Sequence, residues 1–151
     1  MNIAAIVKNL GPSQCNFFLV KEFNKLSEDC SNSCSVFVNN VTIPVTDPCF
    51  SCPIVTFLPQ FSGSCIATSI STANQLLECT GITKKFLYIW DLEWLNNPAS
   101  YSETIKIMSN KKINLIARSN SHAGVINNFC NRDVCGIVED WDKDQLLNIM
   151  R

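Results

Sequence analysis

Two kinds of apolar patterning alternate along the chain: short, nearly continuous apolar runs, and longer stretches with apolar side chains three and four positions apart. The first kind predicts buried strands and the second amphipathic helices. Asn2 to Val7 reads as the first strand. It leads through the polar turn Lys8-Asn9-Leu10-Gly11-Pro12-Ser13 into a helix over Gln14 to Leu26, with Leu19, Phe23 and Leu26 on one face. Ser13 is placed to cap that helix, because its hydroxyl oxygen can accept a bond from a free first-turn N–H. Cys34 to Val38 reads as the second strand, closed by Asn39 and Asn40. Pro44, Pro48 and Pro53 then mark loop or sheet edge, since proline has no ladder donor. Ile54 to Leu58, apolar throughout but for Thr56 and bounded by Pro53 and Pro59, reads as the third strand. Ser64 is expected to cap a helix running to about Glu78, with Ile66, Ile70, Ala73 and Leu77 on one face and Gly81 as the stop signal. Strands over Lys85 to Trp90, Asn114 to Ala117 and Val134 to Val138 alternate with helices over Ser100 to Ser109, Asn120 to Phe129 and Lys143 to Met150.

Short strands separated mostly by helices, with no Asn-Gly or Asp-Gly hairpin turn, favour right-handed parallel crossovers. The expected fold is therefore α/β: one Rossmann-like domain over residues 1–151, with a mainly parallel open sheet of about six strands and helices on both faces. The first expectation for the strand order is third, second, first, fourth, fifth, sixth. No internal repeat or interdomain linker interrupts the pattern.

Composition narrows the function classes. Hydrophobic residues are 46% and charged residues 17% of the chain, which excludes a disordered segment and suits a surface partly covered by a partner, either a second subunit or another copy. The formal net charge is -1 with scattered basic residues, so the basic stripe that direct nucleic-acid binding requires is missing. Met1 to Leu10 has neither a basic start nor a small-residue cleavage site, and no apolar run approaches the roughly 18 residues of a membrane span. A soluble, cytoplasmic protein is expected. The nine cysteines then read mostly as reduced thiols packing as small hydrophobes, notably Cys15, Cys65 and Cys79. Cys30, Cys34, Cys49 and Cys52 have spacings from which a four-thiolate zinc site could be built. As a redox CxxC, Cys49-Phe50-Ser51-Cys52 is disfavoured, because it precedes a strand instead of opening a helix.

Ligands of open parallel sheets bind beyond the carboxyl ends of the strands. The residues expected there are Asn9, Gly11 and Ser13; Asn39 and Asn40; Gln60, Ser62 and Gly63; Asp91 and Glu93; Ser119, Asn120, Ser121 and His122; and Glu139, Asp140 and Asp142. Ordinary loop solvation gives the same polarity. Gly11-Pro12 replaces the three glycines of a dinucleotide turn and no GxxxxGK[ST] occurs, so neither NAD, FAD nor a P-loop nucleotide is expected, and no cofactor is assigned. His122, the single histidine, is either a general base or anion contact near a helix N-terminus or a solvated loop residue. Asp91 is either a base, its pKa raised by the apolar flanks Trp90 and Leu92, or a turn cap. Trp90, Trp94, Tyr88 and Tyr101 offer either stacking faces for a sugar or core packing. Glu139 to Asp142 could hold a divalent ion or cap the last helix.

Asn2-Ile3-Ala4-Ala5-Ile6-Val7 with its polar turn, Lys85-Phe86-Leu87-Tyr88-Ile89-Trp90-Asp91, Ile113-Asn114-Leu115-Ile116-Ala117-Arg118-Ser119 running into a helix, and Val134-Cys135-Gly136-Ile137-Val138 follow one another in a pattern that resembles the N-terminal half of GT-B glycosyltransferases, particularly short phage or bacterial members. The resemblance implies an acceptor-binding half, with a donor-binding half or partner chain needed to grip the nucleotide sugar, and no catalytic metal. It implies that Gly11 and Ser13 line the cleft between the halves and that Asp91 or His122 deprotonates an acceptor hydroxyl. Asn9, Ser62, Gly63, Trp94, Ser119, Asn120 and Ser121 complete the expected ligand contacts. The alternative is a non-catalytic Rossmann-like module that binds a small ligand or another protein.

Overall fold

Parallel pairing organises the whole chain. In the computed structural model, which describes residues 1–151, β1 (Asn2–Val7), β2 (Ser33–Val38), β3 (Ser64–Ala67), β4 (Lys84–Ile89), β5 (Asn114–Ala117) and β6 (Gly136–Ile137) form one all-parallel sheet. The order is β2-β1-β3-β4-β5-β6. The α/β, Rossmann-like architecture holds, but β3 pairs with the inner side of β1 instead of lying outside β2. The proline-rich segment explains the difference. It occupies the outer edge of β2, where Val36 N donates to Ser51 O at 2.8 Å and Val38 N to Pro53 O at 3.0 Å. Proline at 53 offers no donor to extend that pairing, so the strip closes the sheet.

The same region corrects two element assignments. Val55–Gln60 is a 3₁₀ helix instead of a strand, with Ile54 and Phe57 exposed and only Leu58 of the apolar run buried. The third strand is Ser64–Ala67, buried at every position, where the apolar spacing predicts the start of a helix. The helix begins later because its cap is Ser69. The Ser69 hydroxyl accepts from Thr72 N at 3.2 Å while Thr72 Oγ1 accepts from Ser69 N at 2.9 Å, a reciprocal capping box. The helices are α1 (Gln14–Ser27), α2 (Ile70–Glu78), α3 (Tyr101–Met108), α4 (Asn120–Cys130) and α5 (Lys143–Met150). As expected, Ser13 caps α1, accepting from Asn16 N at 3.1 Å. No helix is long and apolar enough to cross a membrane.

Alternation along each strand divides the core into two layers. Ile3, Ala5 and Val7 of β1 face α1 and α5, whereas Ala4 and Ile6 face the side covered by α2, α3 and α4. On the first side the aromatics interlock: Trp141, fully buried, meets Tyr88 edge-on at 4.7 Å and Phe23 at 5.9 Å. The Tyr88 hydroxyl donates to Val138 O at 2.5 Å. Burial of Trp141 also holds an unusual turn, since Asp140 and Trp141 both have positive φ, 46° and 64°. Such a conformation costs on the order of 1–3 kcal/mol per residue and persists only when its surroundings enforce it.

Gly63 and Gly124 should respond in opposite directions to alanine. A Cβ at Gly63 would lie 2.5 Å from Asn2 O on a backbone at φ +149°, so Gly63→Ala should destabilise by at least about 1–3 kcal/mol. A Cβ at Gly124, within α4, meets nothing within 4 Å, and Gly124→Ala should stabilise by roughly 0.5–1 kcal/mol. Urea midpoints of the two variants test both, and equal midpoints would contradict the register given for β1 and β3.

Candidate functional site: a cleft where the strand order reverses

The step from β1 to β2 runs one way across the sheet and the steps from β3 to β6 run the other. Right-handed crossovers therefore send α1 and α2 to opposite faces, and their first turns part above the carboxyl ends of β1 and β3. A cleft of about 600 Å³ opens there. Its floor is the end of β4, and its far wall is the segment from Asp91 into α3.

Much of the cleft's polar wall is committed to its own shape. Asn9 Oδ1 accepts from Gly11 N at 2.9 Å, and Asn16 Nδ2 donates to Asn9 O at 3.0 Å and Gly11 O at 2.8 Å. Thr68 Oγ1 donates to Ile6 O at 2.9 Å, tying the β3–α2 turn to β1. These bonds brace both turns from within the chain. Lys8, Ser71, Asp91, Glu93 and Asn97 also line the cleft, with their side chains exposed and free of partners within the chain. Cys15, Ile70 and Ser71, in the first turns of α1 and α2, line the same wall, and their backbone N–H groups have no intrahelical acceptors. Charged groups on the wall are Asp91, Glu93 and Glu103 against Lys8 alone. The site combines many neutral donors and acceptors with a negative balance.

Of the residues expected at the site, Asn9, Gly11, Ser13, Asp91, Glu93 and Trp94 come together here. Ser62 and Gly63 do not. Because β3 starts at Ser64, they precede the strand and lie at the opposite end of the sheet, where Ser62 O accepts from Asn2 Nδ2 at 3.2 Å. Ser119, Asn120, Ser121 and His122 follow β5 at the correct rim but do not line the cleft. Ser119 caps α4 by accepting from His122 N at 3.2 Å and shares a hydrogen bond with Ser121 at 2.9 Å. His122 Nδ1 is buried without a partner. The indole rings are not open for stacking: Arg118 lies over Trp90 at 3.9 Å, and Trp94 packs on Phe129 at 4.8 Å. Trp94 still borders the cleft, its Nε1 buried and unpartnered. Asp91 points to solvent while Trp90 turns inward, so its apolar neighbours do not enclose it.

Two of the remaining acidic groups have partners elsewhere. Asp142 caps α5, accepting from Gln145 N at 2.9 Å and Asp144 N at 3.1 Å, and Asp140 pairs with Arg118 Nη2 at 3.0 Å. No three His, Cys, Asp or Glu side chains gather closely enough to hold a metal, Cys30, Cys34, Cys49 and Cys52 included, and all nine cysteines are free thiols. Sequence reasoning missed Lys8, Thr68, Ser69, Ser71 and Asn97. The signal for the middle three was Ser69-x-x-Thr72, which places the helix start, and hence a rim turn, at residues 68–71. No family model matches the chain, and neither curated proteins nor solved structures give a match.

Burial sets the titration of the cleft's inner side. Desolvation pushes the Cys15 thiol from its ordinary 9.0 up to about 11, although the Trp141 indole N–H donates to its sulfur at 3.5 Å and opposes the shift. Tyr88 is pushed upward by the same cause. Between pH 9.0 and about 11 the unfolded chain has already released the Cys15 proton that the folded chain retains. Stability should therefore be whole below that window and decline as pH rises through it, by on the order of 2 kcal/mol for this thiol. Urea midpoints from neutral to strongly alkaline pH check this. Cys15→Ala should flatten the decline, and an unchanged slope would remove Cys15 as a cause.

Proposed function

We propose that the chain binds a neutral, polyhydroxylated ligand of the sugar class in the switch-point cleft, acting as the acceptor-side half of a glycosyltransferase-like system. The carrying observation is the cleft wall itself: uncommitted side chains of Ser71, Asn97, Asp91 and Glu93, beside free helix N–H groups, on a scaffold already braced by Asn9, Asn16 and Thr68. Hydroxyl groups both donate and accept, so they can satisfy carboxylates and backbone N–H groups together. A nucleoside diphosphate would instead face three carboxylates and one lysine, a poor balance for a polyanion. In this reading Asp91 orients an acceptor hydroxyl and takes its proton, and the nucleotide sugar is brought by a donor-binding half or partner chain. Binding without turnover is the second reading, favoured by the solvent exposure of Asp91.

Thermal unfolding against neutral mono- and disaccharides, free nucleotides and nucleotide sugars tests this directly. A sugar at about a hundred times its Kd should add about 2.7 kcal/mol, a rise of roughly 5–10 °C for a chain of this size. Asp91→Ala should leave the unliganded melting temperature unchanged and weaken sugar binding about tenfold or more. Stabilisation by nucleotides with none by sugars would overturn the acceptor-side reading.

A further inference from the structure

A second hollow, of about 840 Å³, adjoins the cleft and shares Asn9, Gly11 and Pro12 with it. Its other wall is the loop Thr42–Val45, and its surface is of a different character, mostly apolar and bordered by Pro12, Ile43, Pro44 and Val45. Ile43 in this wall is 88% exposed and Val41, which precedes the wall without lining the hollow, is 80% exposed, more than any other large hydrophobic residue of the chain. The loop is not slack. Asn40 N donates to Lys8 O at 2.9 Å and Val45 N to Leu10 O at 3.1 Å, so both ends are tied to the β1–α1 turn that forms the cleft. Gly11, buried between the hollows, keeps the passage low. A Cβ there would stand 3.0 Å from Asn9 Oδ1 and 3.7 Å from Thr42 Oγ1.

We infer that this ledge holds the apolar portion of the same ligand: the cleft takes a sugar head and the Thr42–Val45 loop takes an attached alkyl chain, making the ligand an amphiphilic glycoside. The inference rests on the sugar reading of the cleft. Three observations support it: an apolar surface continuous with a polar cleft, fastened to it by two backbone hydrogen bonds, and left open to water. Isolated exposed hydrophobes need no explanation, but two highly exposed ones with Val45 in a single tethered loop form a surface that gains from being covered. The occupant is an individual ligand molecule and not a bilayer.

Calorimetry with methyl, butyl, hexyl and octyl glucosides, each below its micelle concentration, tests the ledge on the full chain. Affinity should rise with chain length by about two- to fourfold per methylene covered. In Val41→Ser/Ile43→Ser, which alters only exposed side chains, the rise should vanish while methyl glucoside binds as before. Equal affinity for all four glucosides would overturn the ledge and leave the sugar reading standing. No binding of any of them would overturn both. Flotation with neutral phosphatidylcholine vesicles is the third arm: vesicle binding lost in the double variant, without chain-length dependence for the monomeric glucosides, would replace the ligand ledge with a membrane contact.

Discussion

Handedness of the parallel crossover is the constraint from which the rest of this structure follows. A strand, helix, strand connection closes back on its sheet in one hand only. Once β1 steps to β2 in one direction and β3 steps to β4 in the other, α1 and α2 must lie on opposite faces. The cleft above β1 and β3 is the space between two helices that cannot approach each other. Its position owes nothing to the side chains that line it.

Those side chains decide instead what the space is like. Asn9, Asn16 and Thr68 bond to backbone around the two rim turns, leaving Ser71, Asp91, Glu93 and Asn97 to face outward. Beneath them lies an aromatic cluster in which Tyr88, Trp141 and Phe23 meet edge-on. The same cluster explains the turn after β6. Trp141 is drawn into the core, its neighbour Asp140 is thereby presented to Arg118, and Arg118 is held over Trp90 at the rim. Packing near the end of the chain thus fixes Trp90, which borders the cleft. This arrangement takes the indole faces out of play for stacking and places hydrogen bonding at the centre of any recognition.

Strand and helix assignments were legible wherever a single signal acted. Ile3 to Val7 is flanked by the polar Asn2 and Lys8 and is buried on both faces, and Ser13 is the lone good cap before a clean helical stripe. The middle of the chain carried two conflicting signals. Ile54 to Leu58 has the composition of a buried strand, but the neighbouring prolines and its place at the sheet edge leave Ile54 and Phe57 exposed in a 3₁₀ turn. Ser64 and Ser69 are both plausible caps by residue type. Only Ser69 has Thr72 three residues on to complete the box, so the helix starts there, and Ser62 and Gly63, which precede β3, lie at the far end of the sheet.

From the sequence alone came the fold class, the two-faced strands, most helix bounds, and the carboxyl-rim positions of Asn9, Gly11, Ser13 and Asp91, because these depend on local periodicity and on capping chemistry within a few residues. Tertiary structure decided the strand order, the separation of His122 from the cleft, the orientation of Trp90 and Trp94, and the apolar ledge beside Gly11. Each of those is a choice among neighbours far apart along the chain. Pairing energy, the occupied edge of β2 and the demand to bury Trp141 settle such choices, and none of them leaves a periodic mark in the sequence.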